Sequence, residues 1–172
     1  MWKWIAMVVG LLCAGFLMLG FIKPEVAVRN STVVQRSPEV VWKVFTDGAR
    51  ATRWMPGLKS IETISGAPLQ VGSRHKLVFG EGGGNVEMEE VVTAVEPNKL
   101  FAFDANLKDA TGSTIVRLTP SDGGTELSFE SVYRGRSVWG RSMMALMQSV
   151  ISKNEDENLQ KLKVLIEEEP AG

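Results

Sequence analysis

Residues 33–42 read Val33-Val34-Gln35-Arg36-Ser37-Pro38-Glu39-Val40-Val41-Trp42, and across them the apolar period changes from that of a strand to that of a helix. Upstream, Val26, Val28, Thr32 and Val34 alternate with Arg29, Ser31 and Gln35, the pattern of a strand with one wet face. Only Asn30 breaks the rhythm. Ser37 then stands as an N-cap with Pro38 at the first helical position, where a missing N–H costs nothing. Val40, Val41, Val44 and Phe45 form a helical stripe that Asp47-Gly48 ends. A second short helix over 49–55 stops before Pro56-Gly57. The reading is a strand over 25–36 followed by two short helices.

Beyond Gly57 the period is two. Segments 58–65, 72–79, 86–96, 100–107, 113–118 and 125–133 are separated by turn signals at 66–68, 80–85, 97–98, 110–112 and 120–124. The last is the cleanest: Leu127, Phe129, Ser131 and Tyr133 face one way, Glu126, Ser128 and Glu130 the other. Six such strands with short turns predict an antiparallel meander. Residues 137–168 then predict one long helix, with Trp139, Met143, Leu146, Met147, Val150 and Ile151 on a face that Leu159, Leu162, Leu165 and Ile166 resume. The order is β, α, α, six β, long α, an α+β architecture. A curved sheet must cover its concave face, and only the terminal helix is long enough to do so.

Upstream of this domain, Trp4 to Ile22 is a run of 19 uncharged residues between Lys3 and Lys23. As a helix it spans about 28 Å, close to the hydrocarbon thickness of a bilayer. Trp2 and Trp4 at one end suit the headgroup region. A cleaved signal peptide is the competing reading, but Phe21-Ile22-Lys23-Pro24-Glu25 offers no small-x-small cleavage site. The expected organisation is a single-pass anchor over 1–24 and a domain over 25–172. The membrane face stays open, because Lys23, Arg29 and Arg36 favour a cytoplasmic domain while the short basic start resembles an exporting signal anchor. Ala6, Gly10 and Ala14, spaced by four, are a candidate homodimer seam; ordinary small residues facing lipid are the plainer reading.

Residues 25–172 carry 17 basic and 20 acidic side chains, a net charge of −3 that gives no electrostatic reason to bind nucleic acid. The only cysteine, Cys13, lies in the apolar run, so no intramolecular disulfide forms. With one histidine and no cysteine, the domain is not expected to hold a transition metal, nor any cofactor.

Taken together, Val33 to Trp42 and Trp54-Met55-Pro56-Gly57 resemble the START-like superfamily, also called SRPBCC or the birch-pollen-allergen fold. The first is similar to that superfamily's strand-Pro-x-Val-Trp entry, the second to its Trp-x-Pro-Gly corner. Val71-Gly72-Ser73 and Val95-Glu96-Pro97 match further turns, and the polyketide cyclase/dehydrase-like branch is the nearest in pattern. The resemblance covers about residues 28–168. It implies a helix-grip fold in which a curved sheet wraps a long C-terminal helix around an apolar cavity. It leaves function open, because the superfamily includes lipid carriers, cyclases and co-chaperones.

Candidate residues follow from which side chains face such a cavity. His75 shares parity with Leu77 and Phe79, and a lone histidine serves as a general base or as a hydrogen-bonded structural group. Tyr133 ends the cleanest strand on the face of Phe129 and has a phenol to offer a ligand. Glu87 and Glu89 share one strand face, which leaves Glu90 to point inward as a candidate acid or base. Met143 and Met147 are candidates for an adaptable wall, with plain helix–sheet core as the alternative. Asn154 and Asn158 fall on the stripe between Ile151 and Leu162, either as a polar patch over a ligand or as solvated residues where the helix leaves the sheet. Gly80-Glu81-Gly82-Gly83-Gly84 lacks the Lys-Ser/Thr of a phosphate loop and reads as a hairpin tip or lid. The function expected is a membrane-held binder of a hydrophobic small molecule or lipid. A cyclase- or hydrolase-like enzyme and a protein-interaction module are the alternatives.

Overall fold

The computed structural model describes residues 2–81 and 84–170. Helix α1 (Trp2–Ile22) precedes strand β1 (Val26–Val34). Helix α2 (Pro38–Phe45) begins at Pro38 as predicted, with Ser37 extended at the N-cap but making no side-chain cap bond. A short 3₁₀ turn, Gly48–Arg50, leads into α3 (Ala51–Trp54). Strands β2 (Leu58–Ser65), β3 (Arg74–Glu81), β4 (Gly84–Glu96), β5 (Leu100–Leu107), β6 (Ala110–Ser121) and β7 (Gly124–Gly135) follow. The chain closes with α4 (Val138–Leu146) and α5 (Gln148–Glu167).

All seven strands form one antiparallel sheet in the order β1-β7-β6-β5-β4-β3-β2, so the first strand pairs with the last. The expected helix-grip architecture is therefore present. Three hairpins are tighter than expected: β3 and β4 extend to Glu81 and Gly84, β6 and β7 to Ser121 and Gly124, and the third has a reason in packing. Ala110 to Gly112, read as a turn, belong to β6, and the β5–β6 connection is only Lys108-Asp109. Gly112 is opposite Tyr133, and a Cβ there would come within 2.9 Å of the tyrosine ring. That glycine makes room for an aromatic ring rather than marking a turn. At the glycine-rich tip, Glu81 pairs with Gly84, and Gly82 and Gly83 lie outside the described residues.

The terminal helix is also not continuous. Met147 closes α4 and opens α5 with a backbone that departs from helical angles, and this resets the helical phase. On α5 the inward stripe is Ser152, Glu155, Leu159, Leu162 and Ile166, so Asn154, one residue off, is exposed and Asn158 is half-buried. Met143 is half-buried on α4, and Met147 is exposed.

The core sits at one end of the sheet. Val34, Leu118, Leu127 and Val116 meet Val41, Trp42 and Val44 of α2 and Leu159, Leu162, Leu165 and Ile166 of α5. Phe45 joins this cluster edge-on to Phe101 and Phe129. Helix α5 packs mainly on β1, α2 and α3, so the inner face of β3 to β5 carries no comparable helix cover. Arg36 fastens the end of α5, donating to the carbonyls of Glu167 and Glu169 at 2.6 and 2.9 Å.

Candidate functional site

The sheet register places the sequence's candidates in a single row across the inner face. Tyr133 on β7 is opposite Gly112 on β6, Gly112 opposite Ala105 on β5, Ala105 opposite Glu90 on β4, and Glu90 opposite His75 on β3. Thr63 on β2 completes it. Three inter-strand steps, about 14 Å, separate Tyr133 from Glu90, and the two smallest side chains of the row lie between. The row is a trough with a polar group at each end.

At the β7 end, burial and hydrogen bonding act together. The Tyr133 hydroxyl donates to Glu155, and Asn30 Nδ2 donates to the Ser152 carbonyl at 3.1 Å and reaches Glu155 Oε2 at 3.5 Å. In the next row the hydroxyls of Thr114 and Ser131 lie 3.2 Å apart, both buried. Burial pushes the Glu155 carboxyl above its ordinary value, while the bonds from Tyr133 and Ser131 pull it back. Burial, and then the neighbouring Glu155 charge, push the Tyr133 phenol up. Asn30, the break in the strand rhythm, thus joins Tyr133 and Glu155 in one hydrogen-bonded group. The sequence reading missed Glu155 because it ran the helical stripe forward across the break at Met147, and without Glu155 the amide of Asn30 had no partner to reveal it.

Tyr133→Phe is expected to keep the ring over Gly112 while removing the hydroxyl bond to a half-buried carboxyl. The expected loss is about 1–3 kcal/mol in chemical denaturation, with the Glu155 carboxyl moving further up. A variant as stable as the parent would show that this hydroxyl contributes nothing net.

At the other end, His75 Nδ1 lies 3.3 Å from Thr63 Oγ1 and its Nε2 lies 3.3 Å from Ser73 Oγ. Beside it, burial alone pushes the Glu90 carboxyl up to about 7, with no hydrogen bond or neighbouring charge contributing. Its sequence neighbours behave differently: Glu87 pairs with Lys76 at 2.8 Å and Glu89 with Arg74 at 2.6 Å, both on the outer face. Half-buried Phe79, Met88, Phe103 and Leu107 surround this end of the row. Phe129 belongs to the core instead, against Phe45. The site joins an apolar wall to two separated polar stations.

The larger of the two concavities described lies elsewhere, a groove of about 360 Å³ on the outside of α5 lined by Arg53, Gln160, Lys161, Val164, Leu165 and Glu168. The other is a shallow hollow on α1 beside Trp4. Neither lies on the row between Tyr133 and Glu90, where the Tyr133 ring covers Gly112 and Ala105 is buried.

Residues 25–167 match the family model described as polyketide cyclase / dehydrase and lipid transport. The chain belongs to that family. No curated protein sequence matches this member of the polyketide cyclase / dehydrase and lipid transport family. Among solved structures, the Zhui aromatase/cyclase from Streptomyces sp. R1128 is similar with a TM-score of 0.69 at 15% identity, over 83% of this chain and 94% of that one. Protein MLL2253 from Mesorhizobium loti gives 0.63 at 22% identity, over 84% and 98%. Ara h 8.0201 gives 0.65 at 13%, over 83% and 97%. At these identities the likeness establishes the fold, the helix-grip fold of the START-like superfamily.

Proposed function

We propose that this family member is a membrane-anchored binding protein that holds an apolar small molecule or lipid along the row from Tyr133 to Glu90. The observation that carries the reading is the row itself, with Ala105 and Gly112 as its floor, polar groups at both ends and α5 reaching only its Tyr133 end. Ligand sites in proteins are mostly apolar with a few convergent polar groups, and this face has that composition. The anchor reading is supported by α1, whose apolar window has a mean hydropathy of 2.6 and whose side chains are almost all exposed. The start of the family match at Glu25 agrees with an anchor over 1–24 and a domain over 25–172. The trough opens for a guest by rotation of side chains such as Tyr133 and Phe103.

The test is native mass spectrometry and lipid extraction on the full chain released from detergent. Its control is residues 1–24 fused to an unrelated soluble domain. Expected is one apolar species enriched in the full chain over the control and retained by His75→Ala. Equal lipid profiles for the two proteins would overturn the binding reading.

A second reading, a cyclase- or dehydrase-like enzyme, draws on Glu90 and His75. A carboxyl that holds its proton to about 7 beside an imidazole is suited to proton transfer. It predicts that Glu90→Gln abolishes turnover of the bound species while leaving its binding intact.

A further inference from the structure

The helix that the break separates from α5 lies chiefly against α1 and touches the sheet at β7. Gly20 is buried there, and a Cβ at that position would overlap the Val138 carbonyl and Ser142, so the two backbones touch. Phe16 stacks edge-on with Trp139 at 6.2 Å, the Arg141 guanidinium sits 5.9 Å over the Phe21 ring, and Lys23 bonds Gln148. Phe16 and Gly20 lie on one stripe of α1 and Lys23 just past its end, so α4 is held beside its last two turns. Phe16 is about 9 Å of helix rise from Ile22.

If α1 crosses a bilayer, as proposed above, those turns lie at the level where hydrocarbon meets headgroups. The surface α4 offers to that level is apolar: Trp139 is 59% exposed, Leu146 60% and Val150, just beyond the break, 48%. It lies beside the exposed apolar residues of α1, with Trp139 against Phe16. Basic residues outnumber acidic ones in the segments that flank α4: Lys23, Lys108, Arg134, Arg136 and Arg141 against Glu25 and Asp109, with Glu25 paired to Arg134. Apolar residues flanked by cations are the composition of helices that lie in the membrane interface.

We propose that α4 is a membrane-interface helix that seats the α4 end of the domain in the bilayer surface, so that ligand passes between lipid and the Tyr133–Glu90 row without crossing water. The row is at that end: Tyr133 is two residues from the close of β7, and α4 begins three residues further on. The inference rests on the anchor reading but is separable from it by experiment.

The full chain is reconstituted in vesicles of mixed phosphatidylcholine and phosphatidylglycerol, with a nitroxide on one cysteine at a time. Native Cys13, exposed midway along α1, reports the anchor. In a Cys13→Ala background, Trp139→Cys and Leu146→Cys report α4, and Val164→Cys, exposed on the far part of α5, reports water. Collision with oxygen is compared with collision with a nickel chelate. The expected oxygen-to-chelate ratio at 139 and 146 is several-fold above that at 164 and below that at 13, as an interface depth requires. Immersion of 13 with 139 and 146 matching 164 would sink the interface helix and leave the anchor standing. An aqueous signal at 13 would sink both.

Discussion

Near pH 8, Glu90→Gln raises the unfolding free energy of the chain by about 2–3 kcal/mol, and near pH 4 it changes nothing. The carboxyl titrates at about 7 in the folded domain against an ordinary 4.5. An unfolded chain therefore loses this proton at lower pH than the folded one. Between those two values the folded state binds more protons, so the parent's stability falls as pH rises through this window. Below it both states are protonated and no penalty exists. Above it the whole penalty is present, about 3 kcal/mol before allowance for the solvent that reaches a half-buried group. Glutamine copies the protonated carboxyl and cannot ionise. Glu155 is also raised, so the parent's own profile mixes both groups, and the difference between variant and parent isolates Glu90. Urea unfolding in mild detergent, repeated across pH, supplies that difference. Parallel profiles for the two proteins would mean that Glu90 is solvated, and the acid–base reading would lose its support. A group that destabilises the domain at neutral pH, with no partner to relieve it, is placed as functional groups are. A ligand donating a hydrogen bond to it would lift the penalty.

The local signals in this sequence were sufficient for the sheet and not for the helices that close it. The Ser37-Pro38 helix start, the alternation of Leu127 to Tyr133 and the inward parity of His75 and Glu90 all depend on neighbours a few residues apart. They agree with the structure. The sheet register, which makes a row of Tyr133, Gly112, Ala105, Glu90 and His75, depends on hairpin lengths, and a glycine read as a turn put one hairpin out by several residues. The break at Met147 has no glycine or proline to announce it. It falls where α4 parts from α5 and lies on α1, a contact between residues more than a hundred positions apart. Carried forward across that break from Met147 and Ile151 the stripe lands on Asn154; stepped back from Ile166, Leu162 and Leu159 it lands on Glu155, the acidic partner of Tyr133.

Leu162→Ala costs about 2–5 kcal/mol, whereas Asn154→Ala, two turns earlier on the same helix, changes stability by less than about 0.5 kcal/mol. Leu162 is 0% exposed in the cluster that joins α2, α5 and the Val116, Leu118 and Leu127 face of the sheet. Truncation leaves a cavity between a helix and a sheet that are both fixed by further contacts, so collapse recovers little. Asn154 faces solvent and makes no hydrogen bond among the described residues. A continuous 137–168 helix in the phase first expected would reverse part of this contrast, because Asn154 would then sit under the sheet. Thermal or urea unfolding of the two variants therefore reads the phase directly. It also tests a division of labour along α5. Leu159 to Ile166 stabilise the domain over one end of the sheet, so the Gln148 to Glu155 half need not fill the other end with apolar side chains. That freedom allows Glu155, Tyr133 and Asn30 to occupy a position where a domain of this size would otherwise place leucine.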